Sequence, residues 1–182
     1  MSTIWGTPWE QCYRYFGLPT KAFDSEIACL RLAFFLAHFG MFRASGSLRS
    51  LHHADYKNIV SICRKFTDLR DLSAHELAQK IGRVIELRSA LSSELSTREI
   101  SPTDTLLSKI MLATTACVPA YDRFAVRALR NLGVAATMSE KSLKQVYSIK
   151  RSELRDHWPK NPINIPEMRS LDISLFNFGQ TI

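Results

Sequence analysis

Glycine, proline and cysteine are all scarce in this sequence. Seven glycines and seven prolines occur among 182 residues, and they fall between periodic segments, with no low-complexity tract and no internal repeat of about 20–50 residues. This distribution argues against a repeat architecture and against a largely disordered chain. The four cysteines are scattered without a C-x-x-C pair, so we expect small buried thiols in a reducing cytosol rather than disulfides; they are Cys12, Cys29, Cys63 and Cys117.

Long apolar runs and targeting signals are also missing. The N-terminal residues MSTIWGTPWE contain no basic region followed by an apolar core, so no secretory signal is predicted. The most apolar stretch, residues 27–42, contains Arg31 and His38 and is too short and too charged to span a bilayer. We therefore expect a cytoplasmic protein with no membrane partner.

Acidic residues are few compared with basic ones. The chain has 24 lysines and arginines against 17 aspartates and glutamates, which gives a formal net charge of +7. A basic surface favours an acidic partner, and that partner would be nucleic acid or an acidic protein surface. Charge by itself leaves both classes of partner open.

The periodicity of the apolar residues determines the predicted fold class. No segment alternates apolar and polar residues convincingly with a period of two, whereas spacings of three and four recur throughout, often after capping signals such as those at Thr7, Ser73 and Ser139. These patterns predict a single all-α domain over residues 1–182, a globular bundle of about seven or eight helices. Residues 25–39 are apolar nearly all round and predict a buried central helix. Residues 159–166 predict a possible linker before a C-terminal helix.

The stretch most informative about function covers residues 101–133, which predict a helix–loop–helix. Ser101 is the expected cap of the first helix, with a carboxylate at Asp104 in its first turn. Pro119 is the expected start of the second helix, which would end at Gly133. The second helix would carry an apolar face and an opposite, basic face.

Three arginines make up that basic face. Arg123, Arg127 and Arg130 recur at positions i, i+4 and i+7, a spacing that can follow a phosphate backbone or can form a solvated helix flank. Together with Arg43, in a loop rich in serine and arginine, they are the candidate nucleic-acid-binding residues. Asp122 lies at the boundary of the two faces, where it could interact with the helix dipole, pair with Arg43 or Arg123, or act as a catalytic acid or base.

Residues 118–133, VPAYDRFAVRALRNLG, resemble the segment of helix-hairpin-helix DNA glycosylases that contains their catalytic aspartate. The resemblance implies that Asp122 stabilises the cationic sugar formed as a damaged base leaves, or orients a water to attack it. It also implies a pocket with stacking aromatic side chains for a flipped base, for which Tyr121, Phe42 or Trp9 are available. Asp122 is the only catalytic candidate.

Two features of that family have no counterpart in this chain. Residues 97–102 contain no glycine, although the family grips DNA phosphate with a glycine-rich hairpin at the corresponding place. Lys109 lies closer to Asp122 than the family's Schiff-base lysine does, and it follows no hairpin, so that role is not assigned to it. The resemblance therefore implies a degenerate glycosylase-like core that binds DNA more than RNA.

A second resemblance concerns residues 34–45 and 109–124, which are similar to stretches of a group of uncharacterised bacterial all-helical proteins. It implies a bacterial protein and no particular activity. A third pattern, Arg70 and His75, fits the R-x4-H motif of HEPN-type ribonucleases, which is one alternative function. The other alternative is a non-enzymatic helical subunit that docks on a protein partner through its basic helices and its apolar C-terminal segment.

Motifs for metals and cofactors are not evident in the sequence. His52, His53 and Asp55 are close in sequence, but adjacent histidines point apart on a helix and no further ligand is evident. No P-loop, dinucleotide-binding glycine pattern or serine-hydrolase elbow occurs either. We therefore predict neither a metal nor a cofactor.

Overall fold

The computed structural model describes residues 6–44, 48, 51–160 and 165–182, without the side chains of residues 43 and 44. The described residues form α-helices and short 3₁₀ helices and contain no strand. The expectation of an all-α protein is therefore confirmed. The α-helices are α1 (Pro8–Phe16), α2 (Ser25–His38), α3 (Met41–Ala44), α4 (Lys57–Arg64), α5 (Ala74–Gln79), α6 (Ile81–Thr97), α7 (Asp104–Thr114), α8 (Arg123–Asn131), α9 (Glu140–Tyr147) and α10 (Glu167–Thr181). The 3₁₀ helices are Thr20–Ala22, His53–Tyr56, Thr67–Leu69 and Arg151–His157.

Side-chain caps determine where several of these helices begin. Thr7 Oγ1 accepts a hydrogen bond from the Glu10 amide at 3.2 Å, and the Glu10 carboxylate accepts one from the Thr7 amide at 2.6 Å. The same reciprocal pair occurs between Ser73 and Glu76 at the start of α5. Ser139 caps α9. The capping predictions at Thr7, Ser73 and Ser139 are therefore confirmed, because these side chains satisfy amides that have no partner inside the helix.

The helix–loop–helix at residues 101–133 has boundaries that differ from those expected. The cap of α7 is Thr103, whose hydroxyl accepts from the Leu106 amide, so the helix begins later than Ser101 predicted. The second helix begins at Arg123 rather than at Pro119, because the Asp122 carboxylate accepts the free amides of its first turn. The expected end is confirmed, since Gly133 follows α8 with a positive φ of 72°.

The helix that is enclosed on all sides is α7 rather than α2. In α2 the side that faces the core is fully buried, but Ile27, Leu30 and Phe34 are 42%, 50% and 57% exposed, so the expectation of a helix surrounded by others is wrong on that side. Every residue of α7 from 106 to 114 is buried, including Ser108 and Lys109. Packing neighbours decide burial, and α1, α2 and α6 all contact α7. No helix in the described ranges is long and apolar enough to cross a membrane.

The C-terminal helix α10 packs very closely against α8. A Cβ atom at Gly179 would lie only 2.0 Å from the carbonyl oxygen of Phe124, so the contact requires glycine. The rings of Phe124 and Phe176 meet edge to face at 5.1 Å. Arg127 Nη1 donates to the carbonyl oxygen of Ile182 at 2.6 Å. These contacts hold α10 against α8, whose N-cap residue is Asp122.

The four cysteines lie in the core. All four are buried and none forms a disulfide, which confirms the expectation of buried free thiols. Burial raises the pKa of Cys63 and of Cys117 to about 12. These thiols are therefore protonated packing residues and are unsuited to act as nucleophiles in the folded protein.

Candidate functional site

A pocket of about 290 Å³ opens beside the N-terminus of α8. Its walls come from the end of α2, from the connection before α8 and from α10. Phe39 and Phe176 supply aromatic rings, and Asp122, Asp172 and Arg169 supply charged groups. The sequence-predicted catalytic candidate therefore lines a cavity that combines aromatic and charged walls.

Asp122 both caps α8 and faces this pocket. Its Oδ1 atom accepts hydrogen bonds from the amides of Phe124 and Ala125, each at 2.9 Å. In the part of the chain that the structure describes, no donor bonds to its Oδ2 atom, and the side chain is half-buried. Arg123, one of its two expected ion-pair partners, lies instead over the Phe124 ring at 4.4 Å. The carboxylate thus accepts two helix-capping hydrogen bonds on one oxygen and has acceptor capacity left on the other.

A second carboxylate in the pocket, Asp172, accepts a hydrogen bond on each of its two oxygens. Its Oδ1 atom accepts from the Ala120 amide at 2.8 Å, and its Oδ2 atom accepts from Arg169 Nη1. Burial raises the pKa of Asp172, whereas the Arg169 charge and the Ala120 amide oppose that rise. The guanidinium of Arg169 in turn lies 5.0 Å from the centre of the Trp9 ring. Sequence reasoning missed this pair, although its i, i+3 spacing within a helix was a usable signal.

Lys109 lies behind the pocket wall. It is 7% exposed, and its Nζ atom donates to the carbonyl oxygen of Phe39 at 2.7 Å. Burial lowers the pKa of Lys109, while the negative charges of Asp122 and Asp172 raise it. The ammonium group therefore compensates two carboxylates and orients the pocket residue Phe39, a different role from that of an exposed Schiff-base lysine.

The aromatic residues expected to stack on a base are mostly in the core. Trp9 and Tyr121 are 4% and 2% exposed, so the expectation that they line the pocket is wrong. Phe42 packs partly buried against the core. The pocket is instead lined by Phe39, at the end of α2, and by Phe176, on α10. These two residues are far apart in the sequence, so only the packing of the helices brings them to one pocket.

The three arginines of α8 have different environments. Arg123 is exposed and stacked on Phe124, and Arg130 is exposed with no side-chain partner among the described residues. Arg127 binds the end of α10, where its Nη1 atom donates to the carbonyl oxygens of Gly179 and Ile182. Arg43 lies in α3, but its side chain is outside the described part of the structure.

The residues of the ribonuclease-like motif do not share a site. Arg70 donates to the carbonyl oxygen of Thr114 and lines one pocket, whereas His75 bonds to Gln79 and lines another.

Across the described residues, no group of three or more histidine, cysteine or acidic side chains could hold a metal ion. Asp55, which lies close to His52 and His53 in the sequence, forms an ion pair with Arg98.

Comparison with known protein families, with curated proteins and with solved structures finds no match to this chain. Its function is therefore inferred from the geometry of its own residues.

Proposed function

We propose that this chain is a cytoplasmic nucleic-acid-binding protein of bacterial type with a degenerate glycosylase-like core. In this proposal the Asp122 pocket receives an unpaired base, and DNA is bound in preference to RNA. The observation that carries the proposal is the pocket itself, whose lining combines a carboxylate that has an unused oxygen with the aromatic residues Phe39 and Phe176. Its volume of about 290 Å³ suits a small planar ligand.

The chemistry of the pocket walls supports an amino-bearing base as the ligand. A base taken out of the helical stack is held by stacking on aromatic rings and by hydrogen bonds to its exposed edge. Phe39 and Phe176 provide rings, and the free oxygen of Asp122 can accept from an exocyclic amino group, as acidic side chains do with cytosine. Arg169 is already bonded to Asp172, which leaves Asp122 as the wall carboxylate available to a ligand.

The distribution of positive charge supports contacts to the phosphate backbone. Arg123 follows Asp122 directly and reaches the ring of Phe124, which touches the pocket residue Phe176. Arg130 lies farther along the same helix and is exposed. With a net charge of +7, the chain can exchange counterions for contacts to the phosphate backbone.

Fluorescence anisotropy with labelled DNA duplexes tests this proposal. A duplex with one unpaired adenine or cytosine should bind more tightly than a fully paired duplex, and log K should fall steeply with log salt. Phe176→Ala should reduce the preference for the unpaired base roughly tenfold, the scale of one base–aromatic stack. Phe34→Ala is the matched control, because Phe34 is an exposed phenylalanine outside the pocket. Equal affinity of the wild type for both duplexes would contradict the proposal.

Asp122→Asn tests whether the pocket also performs chemistry. Asparagine retains the helix cap but loses the negative charge. If Asp122 acts on a sugar–base bond, the wild type should release a base from a damaged duplex and Asp122→Asn should not. Unchanged base release in Asp122→Asn would exclude a catalytic role, while the base-binding proposal would still be decided by the anisotropy measurement.

The exposed apolar face of α2 favours a second candidate function, docking on a protein partner. Ile27, Leu30 and Phe34 are 42%, 50% and 57% exposed and lie along one side of the helix. Under this alternative, DNA affinity at physiological salt should be negligible and Leu30→Glu should abolish binding to the partner. The apolar C-terminal segment is the other surface expected to dock under this alternative, and in it Phe176 is 36% exposed and contacts Phe124.

A further inference from the structure

A second, polar pocket lies where the end of α1 meets the segment that follows α4. It has a volume of about 350 Å³. Two arginines, Arg64 and Arg70, line it together with Thr20 and Thr67. One acidic residue, Asp71, also contributes to its wall. The pocket is separate from the Asp122 pocket and shares no lining residue with it.

Both arginines are held in place by contacts that leave part of each guanidinium unused. Arg64 Nη1 donates to the carbonyl oxygens of Phe16 and Leu18 at 2.6 and 3.0 Å, and its guanidinium lies 4.1 Å from the centre of the Phe23 ring. Arg70 uses its Nη1 atom for a single carbonyl oxygen. A guanidinium carries five N–H donors, so each arginine retains donors that these bonds do not use.

Arg70 is additionally fixed by its neighbours. Its guanidinium lies 3.7 Å from the centre of the Tyr13 ring. A Cβ atom at Gly17 would lie 2.8 Å from its Nη2 atom, so the absence of a side chain at Gly17 allows this nitrogen to occupy its position in the pocket. The guanidinium is therefore oriented before any ligand arrives, which reduces the entropy cost of binding.

The charges around the pocket are not balanced. Burial and the nearby positive charge of Arg64 lower the pKa of Arg70, while Tyr13 and Asp71 raise it. Asp71 accepts a hydrogen bond from the Tyr13 hydroxyl at 2.9 Å. Among the described residues, neither Arg64 nor Arg70 forms a salt bridge. Two half-buried cations therefore face one pocket without an ion-pair partner.

We propose that this pocket binds a phosphate group, held by the guanidinium groups of Arg64 and Arg70 and by the hydroxyls of Thr20 and Thr67. Guanidinium donors form short, charge-assisted hydrogen bonds to phosphate oxygens, and a dianion between two cations relieves their mutual repulsion. The same chemistry serves a backbone phosphate of nucleic acid and a phosphate on a small molecule. The site does not depend on the function proposed for the Asp122 pocket.

Calorimetric titration with inorganic phosphate at low ionic strength tests the site. The wild type should show saturable binding with one phosphate per chain. Gly17→Ala should weaken it roughly tenfold, the effect of losing one charge-assisted hydrogen bond, because the new methyl group displaces Arg70 Nη2. Gly82→Ala is the matched control, since a Cβ atom there meets nothing within 4 Å, and it should bind phosphate as the wild type does.

A variant that introduces a negative charge provides a second, independent test. Thr67 is an exposed pocket residue, so Thr67→Glu should preserve the fold while placing a carboxylate beside the two arginines, and phosphate binding should fall by tenfold or more. Ser93→Glu, an exposed position outside the pocket, should bind like the wild type. The proposal is overturned if the wild type shows no saturable phosphate binding, or if Thr67→Glu binds phosphate as well as Ser93→Glu does.

Competition with a labelled DNA duplex then identifies the source of the phosphate. If the ligand is a backbone phosphate, Thr67→Glu should weaken DNA binding and inorganic phosphate should compete with DNA. If the ligand is a phosphorylated small molecule, Thr67→Glu should lose phosphate binding while its DNA affinity stays equal to that of Ser93→Glu. Both results support a phosphate site, and they assign it to different ligands.

Discussion

At the scale of single residues, two carboxylates of the Asp122 pocket have different tasks. Asp172 is buried and has donors on both oxygens, so it helps to hold the pocket together. Asp122 has amide donors on one oxygen only and is half-buried. Lys109 lies near both and bonds to neither, because its ammonium group donates to the backbone of Phe39. A ligand can therefore compete for Asp122 without first breaking an ion pair.

The cap formed by Asp122 predicts a difference between two substitutions. Asp122→Ala should lower the free energy of unfolding by about 1 kcal/mol, because the first-turn amides of α8 lose their acceptor. Asp122→Asn should change stability much less, because asparagine caps helices nearly as well. Urea unfolding monitored by circular dichroism measures both. Equal losses in the two variants would show that the charge, rather than the cap, stabilises α8.

The burial of Asp172 predicts how stability depends on pH. Its pKa in the folded protein is raised above the ordinary value of 3.8, so the folded state holds this proton to higher pH than the unfolded state does. Its contribution to stability is therefore present at low pH and is lost as pH rises through the raised pKa. In urea titrations at a series of pH values above 3.8, the free energy of unfolding of the wild type should fall relative to that of Asp172→Asn as the pH rises. A difference that is independent of pH would contradict this assignment.

At the scale of elements, the contact between α8 and α10 positions the functional pocket. α8 supplies the amides that Asp122 caps, α10 supplies Asp172 and Phe176, and Gly179 sets how closely the two helices approach. Arg127 belongs to this contact, since it bonds to the end of α10.

Arg130 is the better arginine with which to test phosphate contacts, because it is exposed and Arg127 is already bonded to α10. Arg130→Ala should reduce the slope of log K against log salt for DNA binding by about 0.9.

Gly179→Ala should disrupt this helix pair. The new Cβ atom would lie 2.0 Å from the Phe124 carbonyl oxygen, a backbone atom that cannot move without shifting α8. We expect a loss of roughly 1–3 kcal/mol, typical of overpacking in a core. Thermal unfolding measures the effect. Gly82→Ala is the control, because its Cβ atom meets nothing within 4 Å and alanine should stabilise α6 by about 0.5–1 kcal/mol. An unchanged melting temperature in Gly179→Ala would contradict the close approach of α8 and α10.

At the scale of the whole molecule, one buried cluster connects the elements that carry the two pockets. The core includes Trp9 and Tyr13, whose rings stack at 4.9 Å. Arg169 of the Asp122 pocket lies over Trp9, and Arg70 of the phosphate pocket lies over Tyr13. The four free cysteines belong to the same buried cluster. Both pockets are therefore built on one shared core.

Thiol reactivity should report on the integrity of that core. Cys12, Cys63 and Cys117 are fully buried and burial raises the pKa of each thiol, so a disulfide reagent should modify none of them in the folded protein. All should react in one step as urea unfolds the chain. Ser93→Cys is the control, because an exposed thiol at that position should react at once. Rapid modification of the wild-type protein without denaturant would show that the core opens locally.

The sequence by itself determined the all-α class, the helix caps at Thr7, Ser73 and Ser139, the end of α8 at Gly133 and the burial of the cysteines. These features depend on spacing and on residues within a turn or two of one another, so periodicity and capping chemistry predict them. Only the tertiary structure decided that α7 is the enclosed helix, that α2 exposes Phe34, and that Asp172 and Phe39 meet at Asp122. Helical periodicity defines a face but does not say which element will cover it. Residues far apart in the chain come together only when the helices pack.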